Sequence, residues 1–77
     1  MKIQVEFTKD GEKQIKDIYC DDAIDCQELK QLCCCAAFSS PALTKIFFNG
    51  KLLLGKELLY ELGIQEGTVI QLETASL

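Results

Sequence analysis

The chain has no histidine and no arginine, and only one of its 77 residues is proline. Without His, the usual physiological-pH acid–base group and the commonest metal ligand are both missing. Without Arg, the bidentate reader of phosphates and base edges is missing too. All eight cations are Lys, spread along a chain of net charge −4 and pI near 4.6. Nucleic acid selects for clustered positive charge, so it is not an expected partner. No apolar run approaches the roughly 20 residues that span a bilayer. The opening "KIQVEF" alternates polar and apolar instead of forming the apolar block of a signal peptide. These readings predict a soluble, cytoplasmic or nuclear protein that engages neither membrane nor nucleic acid.

Catalytic parts are also scarce. No Ser or Cys has an evident base beside it, and no Gly-rich phosphate loop occurs, so the chain is not expected to be an enzyme. Five cysteines suggest a disulfide framework at first sight. The count is odd, however, and Cys33, Cys34 and Cys35 run consecutively with no framework spacing, so reduced thiols are expected. Successive helical residues fan out by about 100°, which prevents these three from converging on one ion. No metal or cofactor is expected. Cys20, Cys26 and Cys33 read as small hydrophobes of a core. Cys34 and Cys35 read as lying toward the helix exterior as oxidisable but incidental thiols, since no neighbouring base is evident; a further alternative is that they and exposed leucines support self-association. Asp21 and Asp22 read as solvated loop charges near a helix start.

What is present is a clear alternation of elements. Composition, 48% apolar and 26% charged, is that of an ordinary globular domain. Lys2 to Phe7 predicts a strand with Ile3, Val5 and Phe7 on one face. Asp10-Gly11 is a hairpin signal, leading to a second strand ending near Cys20. Ile18 and Cys20 are expected inward there, and Ile15 cannot obey the same alternation as Ile18. Asp25 followed by Glu28 matches a capping box and starts a helix. Cys26, Leu29, Cys33 and Ala36 or Ala37 form its apolar stripe, with Leu32 widening it. Ser39-Ser40-Pro41 is expected to end it.

A third strand follows at Thr44 to Phe48, then the turn Asn49-Gly50 and a short apolar segment from Lys51 to Leu54. "KELLYELGI" predicts a single helical turn, Gly67 a tight turn, and Val69 to Glu73 the last strand. Leu53, Leu59, Leu62 and Ile64 are expected in the core, with Leu54 and Leu58 partly exposed. One helix across one mixed sheet is an α+β arrangement. In the third strand, Phe47 must point opposite to Ile46 and Phe48, which leaves an aromatic ring on the open face of the sheet.

"MKIQV", the capped helix with Leu29-Lys30, "KIFFNGKLL" and "LGIQEGTVIQLE" together resemble ubiquitin and its relatives. The likeness runs from Met1 to about Glu73, with up to three extra residues between the first hairpin and the helix. It implies a ubiquitin-like β-grasp, a mixed sheet of four to five strands packed on one α-helix, as a single domain over residues 1–77. The position resembling Phe47 is the centre of the surface that partners of ubiquitin-like domains bind. Partner-binding residues implied on that basis are Phe47, Lys51, Leu52, Gln71, Glu73 and Lys9, with Thr8 the alternative to Lys9. Lys51 resembles a chain-forming lysine and is expected to act electrostatically beside Phe47. Glu73 makes one edge acidic and suits a receptor with a basic residue opposite it.

The ending "LETASL" lacks the Gly-Gly that conjugation requires. The resemblance therefore implies a non-conjugated, monomeric interaction module of a larger protein, docking to a proteasome subunit, a chaperone or a ubiquitin-binding domain. The alternative is a ubiquitin-like modifier or precursor whose Gly-Gly tail lies outside this sequence.

Overall fold

The computed structural model describes residues 1–74. Its elements run β1 (Lys2–Lys9), β2 (Glu12–Tyr19), α1 (Cys26–Ala37), β3 (Thr44–Phe48), β4 (Lys51–Leu52) and β5 (Val69–Thr74). Short 3-10 turns occupy Pro41–Leu43 and Leu59–Leu62. The strands form one five-stranded sheet in the order β2-β1-β5-β3-β4. β1 and β5 pair in parallel while the other neighbours are antiparallel, so the sheet is mixed. A mixed sheet packed on one helix, with the first and last strands side by side, is a β-grasp-like α+β fold.

Local chemistry accounts for the turns. Asp10 and Gly11 take φ of 53° and 79°, and Asn49 and Gly50 take 51° and 78°. Positive φ at both central residues suits a two-residue hairpin whose twist matches its strands. β1 consequently runs on through Thr8 and Lys9, which pair with Lys13 and Glu12. Both residues belong to the strand, two positions beyond the Phe7 end that the sequence predicts.

Asp25 caps α1, its Oδ1 accepting from the Glu28 N–H at 2.9 Å. The backbone on either side is tied down as well, with Cys26 N–H donating to Glu57 O at 3.0 Å and Leu59 N–H to Ile24 O at 3.2 Å. The helix stops earlier than Pro41 requires. Phe38 enters the left-handed region, and the Ser39 N–H donates to Cys34 O at 2.9 Å. Pro41 instead opens the following 3-10 turn.

The core lies between the sheet and α1. Ile3 and Val5 of β1, Leu29 and Cys33 of α1, Ile46 of β3 and Ile70 of β5 are all fully buried. Leu53, Leu59 and Ile64 join them, and Leu62 packs against the cluster. Two helix positions differ from expectation. Cys34 is buried at 1% exposure, while Leu32 is 38% exposed. At about 100° per residue, Cys34 lies roughly 80° from Cys26 around the axis and Leu32 roughly 120° on the other side. The stripe therefore widens toward Cys34. Thr44 is the one buried polar side chain in the core among the described residues, and its hydroxyl donates to Ser40 O at 2.7 Å.

Because the cap supplies one of the few partners for the first-turn N–H groups, Asp25→Ala is expected to cost about 1 kcal/mol. Urea unfolding followed by helical circular dichroism measures this, and an unchanged midpoint would show the cap to be energetically idle.

Candidate functional site

Strand alternation and register build one continuous row on the face opposite the helix. Leu52 pairs with Phe47, Phe47 with Gln71, Gln71 with Glu6, and Glu6 with Ile15. The row crosses every strand of the sheet. Its apolar end is Phe47 beside Leu52, both half-buried. Neither belongs to the core cluster, against which Phe48 packs. The other end is Ile15, at 55% exposure. Ile15 had no assigned place because it conflicts with Ile18, and the register resolves the conflict by turning Ile18 inward and Ile15 outward.

Charge frames this row. Lys13 Nζ lies 3.0 Å from Glu6 Oε1, which neutralises the centre. In the next row Glu73 pairs in register with Lys45, and both are exposed. A shallow depression between β1 and β5 is lined by Glu6, Thr8, Gln71 and Glu73. An apolar anchor at Phe47 and Leu52 thus grades through Gln71 into a carboxylate edge.

Phe47, Leu52, Gln71 and Glu73 are therefore brought to one face. Lys51 and Lys9 are not. Lys51 pairs with Phe48, so alternation directs it to the face away from Phe47. Lys9 shares its face with Phe7, and its Nζ stands 5.3 Å from the Phe38 ring. Thr8, the alternative at that position, is exposed on the Phe47 side of the sheet, opposite Lys13.

The cysteines occupy different surroundings. Cys26, Cys33 and Cys34 are buried, Cys20 is half-buried against the core, and Cys35 is exposed. Burial pushes the Cys33 thiol up to about 12, with the neighbouring thiols of Cys34 and Cys20 adding to it. Burial also raises Cys20 and Cys26. Asp21 and Asp22 reinforce the shift at Cys20 against the opposing N-terminal ammonium, and Glu57 and Asp25 reinforce it at Cys26. Thiols held protonated in this way are poor nucleophiles. Cys26 lines a cleft with Lys30, Leu53, Leu54 and Lys56. Among the described residues, no three His, Cys, Asp or Glu side chains gather as metal ligands. No helix there is long and apolar enough to cross a membrane.

No protein-family model matches the chain, and no curated protein matches it. The likeness to ubiquitin-like domains therefore stands on architecture: a mixed sheet and one helix compatible with that fold. The C-terminal expectation turns on a segment whose last three residues, 75–77, lie outside the described residues.

Cys33 makes stability depend on alkaline pH. Unfolded, its thiol ionises near the ordinary 9.0, and folded it keeps its proton to about 12. Stability is thus full below pH 9 and falls as pH rises toward 12, by up to about 1.4 kcal/mol per pH unit for this group. Cys33→Ala should lower stability at neutral pH through lost packing, yet flatten this decline by about one proton. Urea unfolding between pH 8 and 11 checks it. An unchanged slope would mean that Cys33 titrates alike in both states.

Proposed function

We propose that the protein is a non-catalytic, ubiquitin-like interaction module. It docks a protein partner through the open sheet face centred on Phe47, with Leu52 as second anchor and Gln71 and Glu73 as polar rim. The observation that carries this reading is the Phe47–Leu52 pair, two apolar side chains adjacent on the open sheet face and, among the described residues, outside the core cluster. Small apolar patches with polar edges are characteristic of recognition surfaces, and aromatic side chains tend to dominate their energetics. The partner that fits offers an apolar pocket or ridge for the two side chains and a basic group near Glu73. Proteasome subunits, chaperones and ubiquitin-binding domains are the classes suggested by the resemblance. The lack of His, and an exposed thiol with no evident base, support a binding role over a catalytic one.

Phe47→Ala should leave unfolding free energy within about 1 kcal/mol, because the ring lies outside the core. It should weaken partner binding by roughly 1–2 kcal/mol or more. Titration of the labelled protein with a ubiquitin-interacting helical peptide, read by amide chemical shifts, tests this. Shifts confined to other elements, with β3 and β5 silent, would overturn the assignment.

A further inference from the structure

Phe38 closes α1 at φ 55° and ψ 42°. That left-handed position is normally taken by Gly, because a Cβ there crowds the backbone. A bulky residue at positive φ is an outlier that calls for a cause. Burial does not supply one, since the ring is 80% exposed. Neither backbone preference nor packing explains an aromatic here.

Its surroundings are cationic. Lys9 Nζ lies 5.3 Å and Lys16 Nζ 5.0 Å from the Phe38 ring centre. Lys16 is oriented by donating to Ala36 O at 3.1 Å, and it also lies 5.9 Å from the Phe7 ring. Neither ammonium forms an ion pair among the described residues, where the pairs are Lys2–Asp17 and Lys13–Glu6. Glu12 faces Lys9 in register without closing one. Exposed cation–π contacts are individually weak, so they give the ring a position more than they justify its presence.

We propose that Phe38, Lys9 and Lys16 form a second docking surface, which takes an acidic peptide segment bearing an apolar side chain beside its carboxylates. The ring offers the apolar contact and the two ammonium groups receive the carboxylates. Charge argues for a short acidic segment over an extended polyanion. The chain as a whole is at −4, which repels a long polyanion, whereas the local lysine pair acts within a screening length of about 8–10 Å. Lys9 and Lys16 stand on the helix side of the sheet and Phe47 on the other, so both surfaces can be occupied together.

The test is an amide-shift titration of the full chain with a short capped peptide of alternating glutamate and leucine, and with its glutamine counterpart as control. Shifts should gather at Lys9, Lys16, Phe38 and Ser39, and the glutamate peptide should bind more weakly as salt rises. Phe38→Gly should weaken binding about tenfold. Its thermal midpoint should hold or rise, because Gly fits the backbone that Phe strains. Lys9→Gln combined with Lys16→Gln should lose the preference for glutamate over glutamine. Unchanged affinity in Phe38→Gly would overturn the proposal, as would a lowered midpoint in that variant without loss of binding, or equal binding of the two peptides. So would shifts confined to the Phe47 row, or capture of phosphatidylserine vesicles through Phe38 without capture of the peptide.

Discussion

Ile46 is wholly enclosed between the sheet and the helix, and this placement commits the residue after it to the opposite face. A slip of one residue in β3 would put Phe47 into the core and Ile46 into water. Three constraints hold the register. The Asn49-Gly50 turn aligns Phe47 with Leu52, β5 aligns Ile46 with Leu72, and Thr44 is anchored by its hydrogen bond to Ser40. The outward ring is therefore a consequence of core packing. Its companions Leu52 and Gln71 follow from the same register without any further device.

The helix shows how a polar start and an unusual stop are reconciled with one buried stripe. Asp25 begins α1 while Glu57 and Ile24 tie the same end to the loop that brings Leu59 inward. At the other end the chain turns at Phe38, and Lys16 reaches across to the Ala36 carbonyl. A cation near a helix C-terminus is favourable toward the macrodipole. The fold thus places an exposed aromatic and two ammonium groups together at the end of the helix where negative partial charge collects.

The open face was largely legible beforehand because alternation is a local rule. Leu52 came with the resemblance, whereas Phe47 could be put on that face by counting from Ile46, and Gln71 and Glu73 by counting from Ile70 and Leu72. Lys51 and Lys9 could not, since their directions depend on where a turn ends and pairing begins. Two-residue turns at Asp10-Gly11 and Asn49-Gly50 extend the pairing to the turns and set the parity of both lysines. Ile15 escaped for a related reason: Ile18 and Ile15 make competing claims on the core, and only the partner strand decides between them. Phe38 carried no signal beyond its proximity to Ser39-Ser40-Pro41, because a left-handed cap is ordinarily read from Gly.

By itself the sequence determined the element order, the Asp25 cap, the two tight turns and the inward faces of β1, β3 and β5, all of which rest on interactions between near neighbours. Tertiary structure alone decided that Cys34 and not Leu32 completes the helix stripe, that Ile15 faces water, and that Phe38 meets Lys9 and Lys16. Those outcomes depend on how a helix is rotated over a sheet and how distant strands register, which only burial of the whole core selects.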